Sequence, residues 1–575
     1  MVSVPNATVS IPATDVPESE RPDHRQRWLV EALLCLGVWL AGAIAFFWVQ
    51  LTSRFNLVMG ASDNRLIIYL NEHWYQALLG HGAWRNMQFF YPTQDTLGRS
   101  DSFLLWQVLY TPLRALGADP YLAFQLTLIG LSAFGFATFY LLARAVWSPP
   151  IWVGLVAAFV FTFSSSLASH TELSSLLGIW LVPSIGLLGW HAWRSAEGPR
   201  RRGIVLGAVF GLYTMLVMFT TYYVCYLALI ALCIAVLLSL VFTPRVTYRI
   251  VSAKIRAGWA MLLAALAGAC IGSIPLLLVY LPELQSSGGW PFSTIEYFHA
   301  SWKSIFDVGT DNVIWSPLLK YFVASGSPVK VELSYGVTPL LLAIVVVGAV
   351  YLSVRERRGP RPIGERRYGS AILALTALIL MILPIETWFG LPWRWVYDLP
   401  GASGIRAIGR IDIIANMLFA LLLVPIGIRV AVLIRIARHR VGVQTVAALI
   451  VVLLCVGQVN GTSLSQLSRS TELNRLALIH RPPRSCTSFF VTSTKALGPQ
   501  NLETTAMLVS QRFGLATING YSGTFPKGWG LYLPTGENYR RAAYAWATAH
   551  HITKGLCSLE LTDRRWTVIG KSRAL

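Results

Sequence analysis

The sequence predicts an all-α membrane protein: a bundle of about eleven transmembrane helices followed by a small extracytoplasmic α/β domain at the C-terminus. Three observations predict it. Hydrophobic residues make up 54% and aromatic residues 12% of the 575 residues, and the mean hydropathy of +0.55 exceeds what a soluble enzyme of this size carries. The apolar residues are gathered in runs close to the ~20 residues that a helix needs to cross a bilayer. Finally, the net charge of +20 comes from basic residues clustered in short segments between those runs. That placement sets membrane orientation and argues against nucleic-acid binding.

Residues 1–28 carry Pro5, Pro12, Pro17 and Pro22 among Ser and Thr and read as a disordered cytoplasmic tail. A multi-span domain follows over 29–458. Its spans are expected near 29–50, 120–146, 150–167, 174–193, 203–219, 222–242, 258–280, 337–354, 369–385, 411–432 and 441–458. The first run is too long for a signal-peptide core and lacks a small-residue cleavage site, so it is retained as a span. Arg21, Arg25 and Arg27, then Arg194 with Arg200 to Arg202, then Arg245, Arg249, Lys254 and Arg256 fall on one side. Arg355, Arg357, Arg358, Arg361, Arg366 and Arg367, then Arg435, Arg438 and Arg440, fall there too. That side is cytoplasmic by the positive-inside rule.

The opposite side receives the loops near 51–119, 164–174, 281–336 and 386–410, and the region 459–575. Turn signals NG, SG and PTG and the final run LELTDRRWTVIG predict strands there. Five cysteines lie within apolar runs and behave as small hydrophobes. Cys486 and Cys557 lie in the polar C-terminal region and would meet an oxidising compartment; a disulfide and two free thiols are both open.

The external segments hold the chemistry. Residues 61–74, ASDNRLIIYLNEHW, place Asp63, Arg65, Glu72 and His73 in one helix-compatible stretch. Leu66, Ile67, Leu70, Trp74 and Leu78 recur at helical spacing. They predict an amphipathic helix lying in the outer interface, with Asn64, Asn71 and Gln76 on its polar face. Asp63 falls at or near the N-cap. A carboxylate fixed at the mouth of a bundle serves either as that cap or as a general base towards a hydroxyl. Glu72 and His73 either line the same mouth or face water.

In FFYPTQDTLGRSDSFL, residues 89–104, Asp95, Arg99 and Asp101 follow an aromatic run; the two carboxylates are too far apart for a DxD metal site. In SSSLASHTELSSLLGIWLVP, residues 164–183, His170 and Glu172 sit between two spans with hardly any loop to solvate them, which marks them as functional candidates. Thr220, Thr221, Tyr222 and Tyr223 open the next external turn and line the same cavity or form part of an aromatic belt. LPWRWVYDLPGASGIRAIGR, residues 391–410, places Arg394, Arg406 and Arg410 on the side where arginine is otherwise sparse. Their planar donor forks suit phosphate, and Gly401, Gly404 and Gly409 let backbone approach an anion.

Taken in order, Asp63, FFYPTQDTLGRSD, the His170 turn, LPGASGIRAIGR and LATINGYSGTFPKGW (residues 515–529) resemble the GT-C superfamily of multi-span membrane glycosyltransferases, in a bacterial branch labelled YfhO-like or uncharacterised. The resemblance implies a GT-C-like bundle in the bacterial inner membrane and a polyprenyl-phosphate sugar donor entering between spans. It implies a hexosyl or pentosyl transfer to a glycan, lipid or protein hydroxyl, with inversion. Asp63 becomes the base, and Arg406 and Arg410 meet the leaving phosphate. His170, Glu172, Arg394, Glu72, His73, Asp101 and Tyr222 become candidates for substrate contact. The branch carries Gln where Glu172 stands. No cofactor is required by this scheme; a divalent metal, used by some members, is left open. Two other classes compete. A transporter or flippase of a lipid-linked anion predicts ionisable groups deep in the spans, which here are nearly free of charge. A catalytically inactive protein of the same fold predicts no loss on Asp63 replacement.

Overall fold

The computed structural model describes residues 24–61, 63–309, 311–323, 335–358, 369–437, 439–460, 466–495, 497–532, 536–552 and 554–569. Most of the expected N-terminal tail, together with Arg21, Arg361, Arg366, Arg367 and Arg438 of the basic clusters and most of the PTG turn, lies outside the described residues.

Among the described residues, eight helices are long and apolar enough to cross a membrane: Gln26–Phe46, Pro120–Trp147, Ile151–Ser169, Thr171–Ser195, Arg200–Thr220, Tyr222–Phe242, Pro244–Ser287 and Ile408–Ile436. Three shorter apolar helices, Pro339–Arg355, Gly369–Ile382 and Arg440–Val456, fall at the remaining expected positions. The chain is therefore a helical protein of membrane-spanning composition.

Local sequence explains the helix ends. Asp119 caps Pro120–Trp147, its Oδ1 accepting from the Tyr121 and Leu122 N–H groups, with Pro120 at the first helical position. The same helix stops at Ser148, which is left-handed (φ 48°) and precedes two prolines. Pro244–Ser287 is two helices joined at the non-helical Gly258, so the basic stretch 244–257 and the apolar remainder have separate axes; it ends on left-handed Gly288. Small residues seam this helix to Arg200–Thr220: a Cβ on Gly211 would strike the Ala265 carbonyl, and one on Gly268 the Ala208 carbonyl. Such close approach is how apolar helices gain packing energy without a hydrophobic driving force.

The span expected at 174–193 is not one α-helix. Residues Thr171–Leu181 form a buried 3-10 segment with a non-helical Leu173, and the α-helix begins only at Val182. Asn64 explains the irregularity: its Nδ2 donates to the Thr171 carbonyl at 3.1 Å and its Oδ1 accepts from Ser174 N–H at 3.1 Å, replacing bonds a regular helix would make internally.

Beyond the helices, four strands form a sheet in the order β4 (Ala516–Thr517), β3 (Ser488–Thr492), β5 (Leu556–Glu560), β6 (Arg565–Val568). β3 runs parallel to β4 and β5, and β6 antiparallel to β5. The aromatic and β-branched run of β3 is buried throughout. Cys486 and Cys557 form a disulfide. This region is sewn to the start of the chain. β1 (Leu57–Met59) pairs antiparallel with β2 (Gln466–Ser468), Arg65 meets Glu472 at 2.6 Å and Asn501 at 2.5 Å, and Arg469 meets Asp119 at 2.5 Å.

That docking corrects the expectation of an interfacial amphipathic helix. Asp63–Leu78 is a helix, but Asn64 and Asn71 on its polar face are as buried as Ile68 and Leu70. Its polar side is covered by the C-terminal region, through Arg65 and through Gln511 donating to the Tyr69 carbonyl, and by Gln107, which donates to Asn71.

Candidate functional site

A cavity of about 640 Å³ lies at one end of the long helices, walled by seven separate parts of the chain. The N-terminal turn of Asp63–Leu78 brings Asp63. The 98–103 loop brings Arg99 and Asp101, and the 169–175 turn brings His170 and Glu172. Tyr222 and Tyr223 come from the start of their helix and Glu283 from the end of Pro244–Ser287; Arg406 comes from the loop before Ile408–Ile436 and Arg410 from the first turn of that helix. The C-terminal region closes it with Gln500, Tyr521, Phe525 and Tyr532. One wall is apolar: Leu276, Leu277, Leu281 and Leu284 come from the apolar part of Pro244–Ser287, and Leu277, Leu281 and Leu284 remain exposed.

Asp63 stands in the first helical turn, and its Oδ1 accepts from Gln500 Nε2 at 2.5 Å and Tyr521 Oη at 2.6 Å. Both partners come from the C-terminal region. Burial and the Asp63 charge push the Tyr521 phenol well above its ordinary range, so it stays a donor.

The arginine loop is held by tyrosines. Tyr222 Oη donates to the Gly401 carbonyl at 3.1 Å, Tyr226 Oη to that of Pro400 at 3.0 Å and Tyr223 Oη to that of Ala407 at 2.5 Å. Gly401 is required here: its φ is +88° and a Cβ would run into the Tyr222 hydroxyl. Arg406 lies over the rings of Trp290 and Phe298, each at 5.0 Å, and Arg410 over Tyr223 at 5.2 Å. Asp101 accepts from Tyr222 N–H at 2.8 Å. Burial raises its carboxyl to about 6, against the opposing pull of the Tyr222 and Tyr223 N–H groups and the Arg410 charge. Gly401 and Gly404 line the cavity, whereas Gly409 is buried within a 3-10 turn.

His170 and Asp412 form a buried pair, Nε2 to Oδ2 at 3.2 Å, and Ser166 Oγ donates to the same carboxylate at 2.6 Å. Asp412 has no exposure and lies in a helix of spanning composition, Ile408–Ile436. This qualifies the expectation that the spans are nearly free of charge; the signal was the lone Asp in GRIDIIANM. Arg99 and Glu283 form a second buried pair at 2.9 Å. It bolts down the covering loop, residues 521–532: the Arg99 carbonyl accepts from Gly523 N–H and Ser522 Oγ, and Glu283 accepts from Thr524 Oγ1 at 2.7 Å.

The structure brings together Asp63, Asp101, His170, Glu172, Tyr222, Arg406 and Arg410 of the residues singled out from the sequence. The other three lie elsewhere. Glu72 is buried in a network with Arg114 at 2.7 Å and Tyr110 Oη at 2.9 Å. His73 Nε2 meets the Trp84 carbonyl at 3.0 Å, and its imidazole is pushed down by burial. Arg394 is exposed and lies over Phe292 and Tyr397. None of the three lines the cavity that holds Asp63, which residue type alone does not reveal. Asp95 pairs with Arg85 at 2.8 Å, and among the described residues no group of three His, Cys, Asp or Glu side chains is placed to hold a metal ion.

The arrangement offers a carboxylate beside exchangeable hydroxyl donors, guanidinium groups, and an aliphatic wall within one cavity. No family model and no curated protein matches the chain, so the reading of this site rests on its geometry.

Proposed function

We propose that the chain is a GT-C-like integral membrane glycosyltransferase that moves a sugar from a polyprenyl-phosphate donor to an acceptor hydroxyl, with inversion. The observation that carries this reading is the convergence of Asp63, Arg406, Arg410 and the leucines of Pro244–Ser287 on one cavity. An amphiphilic donor needs that combination: aliphatic contact for its chain, fixed positive charge for its phosphate, and a base for the incoming hydroxyl.

In the reaction, the acceptor hydroxyl replaces one of the donors now on Asp63 Oδ1 and gives its proton to that carboxylate. Its oxygen attacks the anomeric carbon from the face opposite the phosphate. The bond from carbon to phosphate oxygen breaks, and the electron pair leaves on the phosphate, where Arg406 and Arg410 offset the developing charge. The membrane topology that goes with this reading is eleven spans in a bacterial inner membrane, the N-terminus cytoplasmic, and 459–575 an extracytoplasmic domain over the cavity mouth. The acceptor is a hydroxyl of a glycan, a lipid or a protein.

The test is the lipid-linked and envelope glycan profile of cells carrying wild type, Asp63→Asn or Arg406→Ala at matched membrane levels. Loss of one glycosylated product in both variants supports transfer and names the product. Unchanged profiles in both remove the reading. A second reading, passage of a lipid-linked anion without chemistry, draws on the buried His170–Asp412 pair, an ionisable couple of the kind that translocation pathways use. It predicts accumulation of an intact, unmodified lipid-linked precursor in Asp412→Asn.

A further inference from the structure

The covering loop carries an aromatic group on the cavity wall. Tyr521 and Tyr532 stack with centroids 6.0 Å apart and 23° between their planes; Phe525 lies 5.3 Å from Tyr532 and stacks on Trp529 at 5.1 Å and 7°. Trp529 is buried and fixed by its Nε1 donating to the Ile518 carbonyl at 2.9 Å, so it backs the group from behind. Tyr521, Phe525 and Tyr532 are half-buried and line the cavity. The backbone that presents them is anchored to Arg99, and Thr524 is bonded to Glu283, so the rings form a fixed surface.

Rigid ring faces bordered by hydrogen-bonding groups match one class of molecule well. A pyranose presents a patch of C–H bonds on one ring face and hydroxyls around its rim; the patch rests on an aromatic face and the rim reaches polar neighbours. The polar groups that line the same cavity include Asp63 and Gln500. A flexible lipid chain is matched instead by the aliphatic wall of Leu276, Leu277, Leu281 and Leu284, a different surface of the same cavity. An extended peptide would need free backbone donors and acceptors, and in the loop the Gly523 N–H is already bonded to the Arg99 carbonyl.

We propose that Tyr521, Phe525 and Tyr532 form an acceptor subsite for a carbohydrate, so that the acceptor hydroxyl belongs to a sugar ring. The ring lies against the aromatic group, and one of its hydroxyls displaces Tyr521 Oη from Asp63 Oδ1. The phenol is the stand-in that occupies the position when no acceptor is present. The identity of the acceptor as a sugar rests on the transferase reading of Asp63, but the binding of a sugar to this surface does not.

The experiment is saturation-transfer difference NMR on the full-length protein in lipid nanodiscs, free of sugar-headed detergent and with no donor. The probes are a panel of methyl pyranosides and their disaccharides, with glycerol as a polyol lacking a ring. Expected is transfer to ring C–H protons of at least one pyranoside and none to glycerol. That signal falls at least fivefold in Phe525→Leu and Tyr532→Leu, which keep apolar bulk, and persists in Trp388→Ala, an exposed aromatic residue outside the cavity (96% exposed). Absence of transfer across the panel, or equal transfer in the Phe525→Leu and Tyr532→Leu variants, overturns the subsite. The two readings separate cleanly. Ring transfer with an unchanged glycan profile in Asp63→Asn leaves a sugar-binding surface and removes the transferase. A lost glycosylated product whose sugar sits on a peptide or lipid hydroxyl, with no ring transfer, does the reverse.

Discussion

Tyr521 Oη donates to Asp63 Oδ1 at 2.6 Å across 458 positions of sequence. The carboxylate proposed to act as base is thus positioned by the far end of the chain, and Gln500 supplies the second bond to the same oxygen. Asp63→Asn keeps the shape of the side chain but removes its capacity to take a proton. On the transferase reading the product falls by about 100-fold or more, while membrane level and thermal unfolding stay near wild type. A large loss of protein instead of product would assign Asp63 to the fold.

Gly401 can be replaced only with strain, because its backbone is left-handed and the Tyr222 hydroxyl fills the space a Cβ needs. Gly401→Ala is expected to cost on the order of 1–3 kcal/mol, to shift the loop bearing Arg406 and Arg410, and to lower product formation. Gly442→Ala, where nothing lies within 4 Å, is the matched control and leaves both unchanged. The pair is read by thermal unfolding and glycan profile together.

Glu503 is fully buried beneath the covering loop. Its Oε2 accepts from Asn519 Nδ2 at 2.9 Å and Gly520 N–H at 2.8 Å. Burial nonetheless raises its carboxyl from 4.5 to about 8. Between those two values the folded protein holds a proton that the unfolded chain has released, so stability falls as pH rises through that window and levels off above it. The slope is on the order of 1 kcal/mol per pH unit, measured as the thermal midpoint in nanodiscs from pH 5 to 9. Glu503→Gln, which cannot ionise, is expected to flatten it; an unchanged slope would place the dependence elsewhere.

The Cys486–Cys557 bond closes a loop with a sequence separation of 71 and ties the entry of β3 to β5. Its removal by Cys486→Ser with Cys557→Ser is expected to destabilise the C-terminal region by roughly 2–5 kcal/mol. The direct check is alkylation of the denatured protein with and without reductant. Two extra labelled thiols on reduction are expected, and none would show that the bond is absent in the isolated protein.

Much of the cavity was legible because ionisable side chains next to apolar runs are costly unless used. Asp63, His170, Glu172, Arg406 and Arg410 stand out on that ground, and the cavity gathers them. What stayed hidden depends on distance along the chain. The polar face of Asp63–Leu78 reads as solvent-facing until Glu472, Asn501 and Gln511 are placed upon it. Tyr521 and Gln500 look like ordinary turn and helix residues, because nothing local says they end on Asp63. Glu72 shows the converse: an ionisable group at the right depth, one helical face away from the cavity and neutralised by Arg114. Helix periodicity located the apolar segments but not the 3-10 stretch at Thr171–Leu181, which exists because a side chain of another helix takes its backbone bonds.

The pairing of β1 with β2 has a consequence for biosynthesis. Asp63 leaves the ribosome long before its partners: its two bonds on Oδ1 wait for residues 437 and 458 positions further on, and the strand beside it waits for Gln466–Ser468. A nascent or truncated chain can thread its helices into a bilayer and still present an unfinished pocket. Competence in this sense waits on a distant segment: a chain that stops before Tyr532 cannot close the site around Asp63.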